Sequence, residues 1–127
     1  MANLLDTHTL IWFIEGDSAL STEAISSINN NHEFNFVSIV SLWEIAIKIN
    51  IGKLKLQTAF PAIQNKIDEN GFKLLPINFD HTLIFKDLPL HHRDPFDRMI
   101  IAQSITENLT IISKDKNFSL YPIKLLW

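Results

Sequence analysis

Four acidic side chains fall where a carboxylate is costly unless it has a task. Asp6 ends the short apolar run Asn3-Leu4-Leu5, and Asp115 follows a second run, Leu109-Thr110-Ile111-Ile112, across Ser113-Lys114. Asp97 lies in H-H-R-D-P-F-D-R-M-I-I-A-Q-S, from His91 to Ser104, just ahead of the apolar Met99-Ile100-Ile101-Ala102. Glu44 is the only acid between Phe34 and Asn50. If these groups converge, mutual repulsion decides what they are for. Two unit charges about 4 Å apart cost about 4 kcal/mol at an effective dielectric constant near 20. Several such pairs would consume most of a small domain's stability of roughly 5–15 kcal/mol. The fold must protonate some of the acids or neutralise them with a cation. Carboxylate oxygens without imidazole or thiolate suit hard ions, which points to Mg²⁺ or Mn²⁺. Mg²⁺ keeps several waters and accepts substrate phosphates, which points in turn to phosphoester chemistry.

The elements that must position these acids can be read from the chain. The first apolar run predicts a strand, with Asp6 at its carboxyl end and a helix over about Thr7 to Ile14 behind it. Open α/β sheets place ligands at such strand ends. Ser21 caps a second helix through Ile28, ended by Asn29-Asn30-Asn31, and Phe34, Phe36 and Val37 make a second strand. Ser38 then caps a helix from Ile39 to about Asn50, closed by Gly52. At about 100° per residue, Ser41, Glu44 and Lys48 share one side of it. Glu44 can therefore serve either the acid cluster or an i,i+4 pair with Lys48. A fourth helix is expected over Ala59–Glu69, ended by Asn70-Gly71, and a third strand over Phe72–Ile77. A short helix capped by Asp80 carries Leu83, Ile84 and Phe85. Asp94-Pro95 reads as an N-cap followed by proline at the first helical position. That puts Asp97 in the first turn, at the positive end of the dipole, where it can serve as an ordinary helix-start acid or as a ligand. The strand before Asp115, a short turn with Phe118 and Tyr121, and a last strand over Ile123–Trp127 complete the chain. Strand and helix alternate nearly throughout, so a mostly parallel sheet covered on both faces is expected. In such a sheet Asp6 and Asp115 emerge on one edge, and the loop before Asp97 and the helix carrying Glu44 reach it too.

The chain has 127 residues, enough for one domain over 1–127 with a substantial core. Hydrophobic residues make up 46% and charged residues 20%, which excludes a disordered chain. The absence of cysteine excludes disulfides, thiolate ligands and a thiol nucleophile, and fits a reducing cytoplasm. No secretory signal is visible, and no apolar run approaches the roughly 20 residues that span a bilayer. A formal net charge of −3, without a lysine-arginine stripe, lends no support to nucleic-acid binding by a basic surface. Any RNA would have to be handled by a local site and bound cations.

L-L-D-T-H at the start, S-I-V-S-L-W-E-I in the middle, H-R-D-P-F-D-R-M-I-I-A-Q and then I-I-S-K-D near the end resemble, in this order, PIN-domain nucleases. The likeness is to the VapC-like toxins of bacterial type II toxin–antitoxin systems and covers essentially the whole chain. It implies a PIN-like three-layer sandwich and a Mg²⁺- or Mn²⁺-dependent endoribonuclease that hydrolyses RNA with a metal-activated water. By resemblance, Asp6, Glu44, Asp97 and Asp115 are the catalytic and metal-binding acids. Asp6 and Asp97 are expected to coordinate directly, Glu44 to orient a metal-bound water, and Asp115 to complete a second ion's shell. Homodimers and a small cognate antitoxin lying across the pocket are implied as well. Thr7 is expected either to hydrogen-bond a ligand water or to cap its helix. Asp94 is expected to be mainly a cap, and Arg98 to touch a substrate phosphate or offset the acids, as could Arg93. His91 and His92 read as a solvated loop, and Trp12, Trp43 and Trp127 as core. Two other readings stand beside this one. One is a catalytically idle PIN-like module that only binds a protein. The other is an unrelated α/β phosphohydrolase with Asp6 as nucleophile, as in haloacid-dehalogenase-like enzymes; those need an Asp two residues on, where this chain has His8.

Overall fold

The computed structural model describes residues 2–30 and 34–127. Asn31, expected at the end of the second helix, lies outside them. Five strands, β1 (Ala2–Leu5), β2 (Phe34–Ser38), β3 (Lys73–Leu75), β4 (Thr110–Ile112) and β5 (Lys124–Leu126), form one sheet in the order β3-β2-β1-β4-β5. Every neighbouring pair is parallel, so the expected mostly parallel sheet is wholly parallel among the described strands. The helices are α1 (Thr7–Glu15), α2 (Thr22–Ile28), α3 (Ile39–Asn50), α4 (Phe60–Glu69), α5 (Phe79–Lys86) and α6 (Pro95–Glu107), followed by a 3₁₀ turn over Lys116–Leu120.

Strand alternation builds two cores. Leu4 lies beside Phe36 and Ile111, and these side chains meet Ile100, Ile101 and Phe118 on one face. Leu5 lies beside Val37 and Ile112, which meet Leu10, Ala24, Ile45 and Ile63 on the other. The central strands are thus buried on both sides, as a parallel sheet requires. The chain winds one way from β1 to β3 and the other way from β4 to β5. The reversal falls between the carboxyl ends of β1 and β4, where ligands of such sheets bind. No helix among the described residues is long and apolar enough to cross a membrane.

Local chemistry sets the helix ends. Asp6 caps α1, its Oδ1 accepting the Thr9 N–H at 2.8 Å, so Thr7 is the first helical residue and not the cap. Gly16, at φ 65°, closes α1 in a conformation that costs glycine little. Asn78, not Asp80, caps α5: its side chain accepts the His81 N–H while His81 Nδ1 accepts the Asn78 N–H. Asn caps as well as Asp, and the third helical position here is a histidine that can return the bond. The third strand is shorter than expected, and Trp43 is 59% exposed where a core position was expected. It meets Phe96 edge-on at 5.4 Å across the α3–α6 surface.

Candidate functional site

At the switch point, Asp6 leaves β1 with its backbone N–H bonded to the Ile112 carbonyl, which pins it beside the end of β4. Both carboxylate oxygens are engaged. Oδ1 caps α1, and Oδ2 accepts the Ser113 hydroxyl at 2.6 Å. Only 3% of Asp6 is exposed, and burial pushes its carboxyl above the usual range, with the Ser113 and Thr9 hydrogen bonds opposing. Ser113 Oγ also accepts the Asp115 N–H at 3.0 Å, so one hydroxyl ties the first acid to the fourth. Asp115 in turn caps the 3₁₀ turn through the Asn117 N–H.

Glu44 lies on the inner side of α3 and is 3% exposed. Its Oε1 accepts the Thr7 hydroxyl at 2.7 Å, and its Oε2 meets Lys48 Nζ at 2.6 Å. Thr7 Oγ1 also lies 3.0 Å from Ser41 Oγ. The i,i+4 pair with Lys48 is therefore real, and the Glu44 charge also bears on Asp97. Thr7 reaches the second acid from beside the first.

Asp97 sits in the first turn of α6, behind the cap that Asp94 makes to the Phe96 and Asp97 N–H groups. Its Oδ2 lies 2.8 Å from His92 Nε2. Burial raises its pKa to about 6; the His92 bond opposes this, while Asp94, Glu44 and Asp6 add to it. The negative charges of the first and second acids thus bear on the third. Asp115 joins it more closely: ligand atoms of His92, Asp97 and Asp115 all lie within 4.8 Å of one another. Asp6 and Glu44 stand outside this tight group, with their oxygens held by Thr9, Ser113, Thr7 and Lys48.

His92 is the residue that the loop reading overlooked. It is partly buried and turned onto Asp97, while His91 stays exposed against the Tyr121 ring. Its position follows from Arg98, which is 6% exposed. Arg98 donates to the carbonyls of Leu88, Pro89 and His92 and lies 3.2 Å from the Tyr121 hydroxyl. Tyr121 accepts the His92 N–H and donates to the Pro89 carbonyl. The guanidinium, expected to touch a substrate phosphate or to offset the acids, is bonded to the loop that carries His92. Ser113 was likewise overlooked; its spacing in S-K-D, two residues before an acid, is the signal for a serine that bonds the backbone ahead.

A divalent cation fits this donor set. Burial, with Asp94, Glu44 and Asp6 adding to it, raises the Asp97 carboxyl to about 6, and a bound cation would offset both the lost solvation and the repulsion. His92 adds one imidazole nitrogen to a set expected to be all oxygen. An apolar groove lined by Ile39, Phe60, Ile63 and Leu74 lies apart and includes none of the four acids.

Carboxylates gathered at the carboxyl switch point of a parallel sheet define a class: an α/β domain with a candidate metal-binding group at its ligand edge. The sequence profile of the PIN domain matches residues 4–124, and the chain belongs to that family. Solved structures of similar fold include VapBC2 from Rickettsia felis bound to a DNA fragment from their promoter. The match is 19% identical, covers 99% of this chain and 98% of that one, and has a TM-score of 0.70. A toxin-antitoxin complex from Klebsiella pneumoniae matches at 17% identity over 98% of this chain and 96% of that chain, TM-score 0.67. VapBC-1 from nontypeable Haemophilus influenzae matches at 18% identity over 99% and 97%, TM-score 0.70. At these identities the likeness is one of fold. No curated protein sequence matches the chain.

Proposed function

We propose that the chain is a Mg²⁺- or Mn²⁺-dependent endoribonuclease, the toxin of a toxin–antitoxin pair. It works in the cytoplasm as a homodimer and is silenced by a small cognate antitoxin. PIN family membership supports the nuclease, and the toxin–antitoxin assemblies of similar fold support the partner. The observation that carries the reading is the convergence on Asp97, whose carboxyl is pushed up to about 6 by burial and by its acidic neighbours.

Asp97 and Asp115, with His92, would hold the cation, and Asp6 would complete its surroundings from the other side. A bound ion would supply Lewis acidity toward the phosphate and a water acidic enough to be a nucleophile near neutral pH. Glu44, anchored by Thr7 and Lys48, would orient the attacking water. Ser113 keeps Asp6 and Asp115 facing the same space, and Asp94 serves as the helix cap. Incubation of the protein with total RNA in Mg²⁺ or Mn²⁺ tests the reading. Cutting that stops in EDTA and is lost in Asp97→Asn is expected. An inert protein under all conditions would show an idle binding module instead.

A further inference from the structure

We infer that the hollow beside Asp6 and Asp115 is a base-binding subsite, in which the nucleotide next to the scissile phosphate of a single-stranded RNA stacks on Trp12. The inference rests on the ribonuclease reading and specifies the strand it takes. Five residues line the hollow: Asp6, His8, Trp12, Lys114 and Asp115. Two are acids of the proposed centre, one is an indole, and two are an exposed imidazole and an exposed ammonium. A second hollow shares His8 and Trp12 and continues to Lys48 and Lys53. The two hollows adjoin at His8 and Trp12 and together form the proposed trough, with the acids in one lining and lysines in both.

The indole is held firmly enough to be a platform. Trp127 meets it edge-on at 5.7 Å, and it packs against the core that contains Leu10. Two groups that can move lie against it: the His8 ring at 5.8 Å and the Lys114 ammonium at 6.0 Å. Both belong to exposed residues, so an incoming base can displace or sandwich them. Every nucleobase has a π face, and stacking on an aromatic ring tolerates any sequence. A duplex keeps those faces covered, so the trough selects an unpaired strand. Lys114 and Lys53 answer a need that the net charge of −3 leaves open, namely cations for the phosphates flanking an acidic pocket, whereas Lys48 stays paired with Glu44.

The test uses full-length protein carrying Asp97→Asn, so that RNA is held uncut, in Mg²⁺ at low salt. The probes are labelled oligouridylate, the same backbone with its bases removed, and an RNA duplex of equal length. Intact single strand should bind about tenfold more tightly than either of the others. Trp12→Leu should abolish that preference. Because Trp12 is half-buried, the paired changes His8→Ala and Lys114→Glu at exposed positions provide a second arm, expected to weaken single-strand binding severalfold with an unchanged melting temperature. Equal binding of intact and base-free strands, or no effect of the exposed changes, overturns the subsite. Cleavage by the protein without Asp97→Asn is measured alongside. Metal-dependent cutting without base preference removes the subsite alone, whereas neither cutting nor binding removes the ribonuclease reading with it.

Discussion

Asp97 carries the sharpest consequence at the scale of one residue. Its carboxyl titrates at about 6 in the folded chain and near 3.8 without the fold, so the native state binds this proton more readily. The stability it contributes is full below about pH 4 and is lost as pH rises through about 6. In EDTA near neutral pH, Asp97→Asn should therefore melt at or above the temperature of the unaltered protein. The difference should close as pH falls toward about 4, while RNA cutting is absent throughout. Thermal melts across that range check it, and a variant melting several degrees lower at neutral pH would make the His92 bond and the helix start its purpose. His92 invites a companion measurement. It is the only nitrogen donor in the tight group, and imidazole favours Mn²⁺ relative to Mg²⁺. Calorimetric titration of His92→Gln should show Mn²⁺ affinity falling by about tenfold or more, with Mg²⁺ affinity changing less.

At the scale of an element, the site depends on how the loop before α6 is held. Arg98 gathers three backbone carbonyls and the Tyr121 hydroxyl, and its guanidinium also stands 5.2 Å from the Phe85 ring centroid. Arg98→Ala would take this donor from the Leu88 and His92 carbonyls, while Pro89 keeps the Tyr121 hydroxyl, at a cost of about 2–4 kcal/mol. Lysine cannot replace the planar fork, so Arg98→Lys should recover little of it. Asp94→Ala removes only a cap and should cost about 1 kcal/mol while leaving metal-dependent cutting in place. Denaturant melts of the three variants rank these expectations. The same loop shows what was legible in the sequence. Asp94-Pro95 marks the helix start through local chemistry, and the strand runs before Asp6 and Asp115 mark a parallel sheet edge through periodicity. The inward turn of His92 is set by Arg98 and by Tyr121, which lies 29 positions away. Ser113 meets Asp6 across 107 positions, and Glu44 meets Thr7 across 37. Such bonds have no local pattern. The Asn78 cap is local, but its return bond comes from a histidine where a capping box ordinarily has Glu or Gln, and the exposure of Trp43 is set by tertiary packing.

For the whole molecule, the sheet brings together groups that oppose its own folding. Two central strands end at the switch point, α3 and α6 add Glu44 and Asp97, and the hydroxyls of Thr7 and Ser113 hold Glu44 and Asp6 there. Asp6 and Asp97 are both pushed above the usual carboxylate range, so the apo protein stands below the stability that its two cores would otherwise allow. A cation that binds only the folded state must then act as a stabiliser. At about 100 times its dissociation constant it adds roughly 2.7 kcal/mol. For a domain of this size that amounts to a rise in melting temperature on the order of 10 °C. Calorimetric scans with Mg²⁺ and Mn²⁺ should show the rise, EDTA should reverse it, and Asp97→Asn should lack most of it. Arg98→Ala, although less stable at the outset, keeps all four acids and should still respond to the ions. If the unaltered protein melts at the same temperature with and without divalent ions, the pocket does not seat a cation, and the cost of its raised carboxyls goes uncompensated.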